Sequence, residues 1–521
     1  MPTLPGELFS LLENKTLQAR DAAEKAARNI TAYFKVESGT WWGDKDNPQR
    51  NLWLRLRARA RQLGYSIDEE NEKDPVKRGL SLLVEEIAYE QWHRMLFARF
   101  LTENNLLMHP SGVAVSLQEC EELAPEEGED DAWCLAARYA SDMLPGIFKL
   151  EDPCAQVRLI PNDQHTLEII LLEIPALVFT CDDSLGWMYQ FWQSKKKDEV
   201  NASERKIGGA DLAPVTQLFT ENYMVRFLLE NSLGAWWAAR HPNSTLVKEW
   251  EYLRFQDDGT PAAGTFAGWP ERAANVTVMD PCCGSGHFLV AAFNMLYKMR
   301  IEEEGLDVGE ATTRTLQDNI FGLEIDQRCT QIAHFSLSLI GWKIGGYQKI
   351  SDLNIACTGI AVKGQLDSWL ELAGDDSRIK AGLERLYNLF KDAPDLGSLI
   401  NPANLPLADR MFVADYDQVA PVFEKALASE YITKETGIKL TGYSPTGLIK
   451  AARFLRGKFT LIATNVPYLA RGKQSYLLRN FIQDYYPNSK ADLATAFIER
   501  CLDFCDPDCT ISLVTPQNRI M

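Results

Sequence analysis

Val276-Thr-Val-Met-Asp280-Pro-Cys-Cys-Gly284-Ser-Gly286-His-Phe-Leu-Val-Ala-Ala-Phe-Asn-Met-Leu296 passes from a β-branched run, through two glycines, into a long apolar run. The pattern predicts a short strand, a glycine turn and a helix reaching about Glu304. Glycines at 284 and 286 tolerate positive φ and let a ligand approach bare backbone. The turn amides and the first helical residues are then expected to face that ligand, at the carboxyl edge of a parallel sheet. Asp280, at the strand's end, is placed to accept a hydrogen bond from a ligand amine. One Gly-x-Gly alone fits an ordinary strand-to-helix connection equally well.

A second turn, far downstream, changes the weighing. Phe459-Thr-Leu-Ile-Ala-Thr464 reads as another strand, and Asn465-Val466-Pro467-Tyr468 is the turn at its end. Asp-Pro-x-x-Gly-Ser-Gly followed by Asn-x-Pro-Tyr, in that order, resembles the amino-group DNA methyltransferases that use S-adenosylmethionine. The closer likeness is to the adenine-N6 enzymes of type IIG restriction–modification and of the BREX and DISARM phage-defence systems. The resemblance implies an α/β fold: a Rossmann-like sheet with helices on both faces, here preceded by a mostly helical N-terminal domain.

It also implies site residues. Asp280, Pro281, Cys282, Gly284 and Gly286 form the cofactor turn. Upstream, Gln217-Leu-Phe219-Thr220-Glu-Asn-Tyr223 matches the family's pocket-lining segment, which assigns Phe219 and Thr220 to the cofactor. Thr220 also reads as a plain helix cap. Thr315 to Ile325 reads as the next strand, ending in Gly322-Leu-Glu324-Ile-Asp326. An acid there suits two ribose hydroxyls, because a carboxylate accepts two donors. Glu324 takes that role by resemblance, with Asp326 in support. The acid that sits near the cofactor adenine in relatives has four candidates here: Asp352, Asp392, Asp395 and Asp415.

At the second turn, the exocyclic amine of adenine is a poor nucleophile because its lone pair is delocalised. Two acceptors aimed at its hydrogens stabilise the charge that develops on it. Asn465 Oδ1 and the carbonyl of Val466 are the two acceptors, and Tyr468 stacks on a base flipped out of duplex DNA. Such chemistry asks for no metal and no general base. Val466 stands where the family usually has proline, so the carbonyl survives but a fixed φ is lost. Cytosine-C5 chemistry is disfavoured, since Pro281-Cys282 lies at the cofactor turn. Two other classes fit the same motifs: a methyltransferase acting on RNA or protein glutamine, and a non-catalytic cofactor- or DNA-sensing subunit of a defence complex. Other defence-system proteins are implied partners.

The 521 residues carry a net charge of −18, with 46% hydrophobic and 24% charged residues. Such a balance suits a large buried core and argues against whole-surface nucleic-acid binding. No run of about 18 apolar residues appears, so no membrane span is expected. The N-terminus lacks a signal-peptide pattern, and 11 cysteines without paired spacing suggest reduced thiols in a cytoplasm. Cys501, Cys505 and Cys509 are four apart, but Asp506-Pro507-Asp508 argues against a metal site.

Charge is unevenly spread. Lys434, Lys439, Lys450, Arg453, Arg456, Lys458, Arg471, Lys473 and Arg479 face one acid, Glu435, and bracket Asn465 in sequence. A phosphate-contacting surface is the expectation. Residues 1–110 read as helical, including Leu52 to Arg61, where four arginines alternate. Glu119 to Asp131, with eight acids, reads as a solvated loop. Ser194 to Gly209 is polar and ends in Gly-Gly, so the expected domains are 1–205 and 206–521, the second with an insertion at about 350–452. Glu204-x-Lys206 with Asp182 and Asp183 has the outline of a nuclease motif, but its polar setting speaks against one. The sequence runs to Met521, shortly after the strand Thr510–Val514 and short of the target-recognition domain of relatives, and is expected to be either the N-terminal portion of a longer protein or an unusually shortened member.

Overall fold

The computed structural model describes residues 4–44, 46–47, 49–64, 75–350, 352–360, 362, 366–371, 373–404 and 445–515. The chain forms two compact units, Met1–Trp192 and Gln193–Met521.

In the first unit, helices Gly6–Tyr33, Gln49–Leu63 and Pro75–Glu103 carry the apolar stripes read from the sequence. The alternating arginines are on a helix, and three of them are spent inside the unit. Arg55 donates to Gln156 Oε1 (2.7 Å), Arg57 to the Val36 carbonyl (2.6 Å), and Arg59 makes a two-pronged pair with Glu86 (2.7 Å). The acidic stretch is not simply loop. Leu117–Leu123 is a helix whose start is fixed by a reciprocal cap between Ser116 and Glu119.

The division into units falls inside helix Ser184–Ala202. The lysines at 195–197 continue this helix, so the polar run expected to be a linker is helical as far as Ala202.

The second unit is built on five parallel strands: β1 (Val278–Asp280), β2 (Ile320–Glu324), β3 (Ile355–Cys357), β4 (Phe459–Asn465) and β5 (Cys505–Val514), in the order β3-β2-β1-β4-β5. Alternate residues go to opposite faces. Met279, Leu323 and Ile462 enter one apolar cluster, while Val278, Ile320, Leu461 and Ala463 enter another. Both faces are therefore covered, as expected of a parallel sheet.

Helix His287–Glu304 ends where the sequence placed it. The second strand is shorter than read, because helix Val308–Asp318 takes residues 315–318. Thr315 is buried on that helix, and its β-branched character suggested strand.

The cysteines also depart from expectation. Between register pairs Phe459↔Cys505 and Leu461↔Thr510 the β5 strand bulges outward. The bulge brings the Cα atoms of Cys505 and Cys509 to 5.1 Å, and the two are joined as a disulfide, while Cys501 stays buried and free.

Candidate active site

Strand order reverses between β1 and β4, so their carboxyl ends border the crevice where doubly wound sheets take ligands. Val278 pairs with Leu461 and Met279 with Ile462. Asp280 thus closes β1 beside β4, and Asn465 projects from β4 beyond it.

After Asp280 the chain turns with Gly284 at φ +51° and Gly286 at φ +87°. The expectation that the turn's amides face outward is corrected for four of them. Cys282 N donates to Asp280 Oδ1 (3.0 Å), Cys283 N to the Leu323 carbonyl (2.9 Å), Gly284 N to Glu324 Oε2 (2.8 Å) and Gly286 N to the Cys283 carbonyl (2.7 Å). The turn is strapped to the end of β2. Pro281 is buried within it. Burial of its sulfur also pushes the Cys282 thiol well above its usual range.

Glu324 is anchored by three amides, since its Oε1 accepts from Ile325 N (2.9 Å) and Asp326 N (3.0 Å). Asp326 caps the helix Gln327–Gly345 by accepting from Arg328 N (2.8 Å). Asp280 and Glu324 are both buried, and burial pushes both carboxyls up to about 7. Glu324 also raises Asp280, and Asp326 raises Glu324, so the pocket wall holds anionic capacity that a cationic ligand would satisfy.

Thr220 does not cap a helix. The helix Asn222–Leu229 begins after Glu221, with no side-chain cap, and the Thr220 hydroxyl instead accepts from Asn465 Nδ2 (3.0 Å). Phe219 stacks on His287 with centroids 4.6 Å apart and planes within 8°. Burial lowers the His287 imidazole to about 4, so it is neutral. On the other side of Asn465, the Tyr468 hydroxyl donates to Oδ1 and lies 3.1 Å from the Val514 carbonyl. Val466 is buried in the core beneath the turn.

The candidate adenine acids separate. Asp352 precedes β3, hence lies at the amino edge, and pairs with Lys450 (2.7 Å). Asp395 belongs to a clamp that sequence reasoning missed. Its Oδ1 accepts from the Ser475 hydroxyl (2.8 Å), and Gly209 N also bonds to its carboxylate. Ile207 N donates to the Lys473 carbonyl (2.7 Å), and Ser475 N returns to the Ile207 carbonyl (2.8 Å). A Cβ on Gly208 would stand 2.2 Å from Asp395 Oδ1. Gly208 is there because nothing larger fits, and Gly209 because its φ is +54°. Asp392 begins the short helix Ala393–Leu396. Asp415 lies outside the described residues, as do Lys434 and Lys439.

The rest of the basic segment divides in space. Lys450, Arg453, Arg456 and Lys458 precede β4 and belong to its amino end; Arg471, Lys473 and Arg479 follow the Asn465 turn. Only the second group adjoins the crevice, with Lys473 exposed and Arg471 donating to Gln483 (2.6 Å).

A β3-β2-β1-β4-β5 parallel sheet with acids ending β1 and β2 and Asn-Val-Pro-Tyr ending β4 is a Rossmann-like arrangement with both motifs at one crevice. Residues 318–521 match the family described as Eco57I restriction-modification methylase, and residues 262–353 match the DNA-methyltransferase domain of MmeI. The likeness to restriction–modification and phage-defence methylases therefore holds, and a methylase of this family implies S-adenosylmethionine as methyl source. Among curated relatives, the adenine-specific methyltransferase PglX of Lacticaseibacillus casei (strain Zhang) is 27% identical over 94% of this chain and 43% of its own length. The adenine-specific methyltransferase BrxX of Escherichia coli O9:H4 (strain HS) is 27% identical over 81% of this chain and 39% of its own. This chain thus spans less than half the length of either. A DrdV–DNA complex covers 99% of the chain at a TM-score of 0.43 and 12% identity. Among the described residues no helix is long and apolar enough to cross a membrane.

Proposed function

We propose that the protein carrying this chain transfers a methyl group from S-adenosylmethionine to the N6 amine of adenine in DNA, within a restriction–modification or phage-defence system. Residues 206–521 would be its methyltransferase domain. The observation that carries the reading is the Asn465-Val466-Pro467-Tyr468 turn at the end of β4, the strand paired with β1, whose own end is Asp280. The relatives' description as adenine-specific methyltransferases supports it.

The residues present fit the cofactor. Two buried carboxyls suit a ligand with ribose hydroxyls and positive charge, and Gln217, whose amide nitrogen lies beside Gly284, keeps a buried Oε1 without a partner. Phe219, Thr220, Asp280, Pro281, Cys282, Gly284, Gly286, Glu324 and Asp326 would form the pocket. The cofactor supplies an electrophilic methyl group on a sulfonium.

Everything else falls to the chain. Asn465 Oδ1 and the Val466 carbonyl accept the two amine hydrogens and stabilise the charge growing on nitrogen. Tyr468 stacks on the extruded base; burial pushes its hydroxyl up to about 12, so it keeps its proton. For Oδ1 to meet the amine, the Tyr468 hydroxyl must give up its bond to that oxygen. Arg471 and Lys473 hold phosphates near the crevice. Asn465→Ala in the full-length protein should abolish adenine-N6 methylation, read with labelled cofactor, while cofactor affinity by calorimetry stays nearly unchanged. Methylation at the wild-type rate would sink the reading.

A further inference from the structure

An asparagine amide has an acceptor at one end and two donors at the other, and the ends exchange by a half-turn of χ2. Presented the wrong way round, Asn465 would turn its NH₂ group toward an amine that also offers hydrogens. The reaction therefore needs something that tells the two ends apart.

The fold places an acceptor behind Asn465 Nδ2, and it comes from 245 residues upstream. Thr220 is buried, with its hydroxyl oxygen 3.0 Å from Nδ2. That hydroxyl caps no helix, although its position before Asn222–Leu229 invites it to. The neighbouring Phe219 is stacked on His287, the first residue of the helix leaving the glycine turn, and the buried His287 ring bonds to the Thr220 backbone. Thr220 is thus held from behind by the wall of the cofactor crevice. In front, the side of the amide that receives a donor is already marked, because Tyr468 donates to Oδ1 there.

We propose that Thr220 is a positioning residue for methyl transfer: by accepting from Asn465 Nδ2 it fixes the amide so that Oδ1 faces the reacting amine. This rests on the reading of Asn465 as the amine's acceptor, and it gives the Thr220 side chain a role distinct from lining the cofactor pocket.

The two roles separate kinetically. A pocket-lining hydroxyl acts on cofactor affinity, whereas an orienting one acts on the maximal rate with both substrates bound. In the full-length protein, Thr220→Val keeps the shape and removes the acceptor; Thr220→Ser keeps the hydroxyl. Single-turnover methylation at saturating cofactor and DNA should fall about tenfold to a hundredfold in Thr220→Val, in line with the loss of one aimed polar contact. Saturating cofactor removes any contribution of the pocket wall to affinity from this readout, and Thr220→Ser should recover most of the rate. Thr220→Ala carries the same expectation if the valine variant does not fold.

An unchanged maximal rate in the variant lacking the hydroxyl, with or without weaker cofactor binding, overturns the proposal. So does a rate that serine fails to rescue. Asn465→Ala run alongside keeps the failures apart: if that variant still methylates, the underlying reading has failed; if it is inactive while Thr220→Val is fast, only the role of Thr220 has.

Discussion

Glu324 has roughly four lone-pair directions, and three are used by the amides of Gly284, Ile325 and Asp326. One remains for a ribose hydroxyl, where the sequence suggested two. The carboxylate therefore does double work, since removing it also releases the glycine turn. Glu324→Ala should weaken S-adenosylmethionine binding at least about tenfold by calorimetry, as one bond to a charged acceptor is worth ~1.5–3 kcal/mol. Unchanged affinity would remove Glu324 from the site. Its neighbour sets a pH dependence. Asp280 is raised to about 7 by burial, so between about pH 4 and 7 the folded chain holds a proton that the unfolded chain releases. Stability then falls as pH rises through that window, by at most ~1.4 kcal/mol per unit for this group. In cofactor-free protein, the stability of wild type relative to Asp280→Asn should decline from pH 5 to 7.5 in denaturant titrations. A flat difference would contradict the buried, protonated carboxyl.

At the scale of elements, position along a parallel strand decides which basic residues matter. Arg453 and Arg456 stand before β4 and Arg471 and Lys473 after it, so the two pairs belong to opposite edges of the sheet. Reversing Arg471 and Lys473 to Glu should weaken DNA binding and reduce the salt slope by about one unit per lost phosphate contact. The same reversal at Arg453 and Arg456 should leave the slope alone. Equal effects from both pairs would mean that the surface is not organised around the crevice. The clamp is a second element-scale device, tying the approach to Phe219 and Thr220 to the loop after Tyr468. Gly208→Ala would drive a methyl group against Asp395 and Ser475. Overpacking of this kind typically costs ~1–3 kcal/mol, visible as a lower denaturation midpoint. A midpoint equal to wild type would show that the segments part easily.

Across the whole molecule, what the sequence disclosed and what it hid follow from sequence separation. The glycine turn and the Asn465 turn were legible because a strand, a turn and a helix within twenty residues leave a local pattern. The end of helix His287–Glu304 was legible because Gly305 follows it at φ +67°. Thr220 with Asn465, and Asp395 with Ser475 and Gly209, were not legible, because each pairing joins distant segments with no local signature. Local propensity also misled: Thr315 favoured strand in a helix, and Gly208-Gly209 favoured a domain boundary where the chain is clamped. The basic cluster was real as a count, but the strand already legible at 459–464 divides it between opposite ends of the sheet.

The stubs flanking residues 405–444 have a practical consequence. The turn Pro402–Asn404 touches the helix Pro445–Arg456, so the chain departs and returns at neighbouring points. A pair of labels, one on the turn and one on the helix, should therefore report a short separation whatever the length of chain between them.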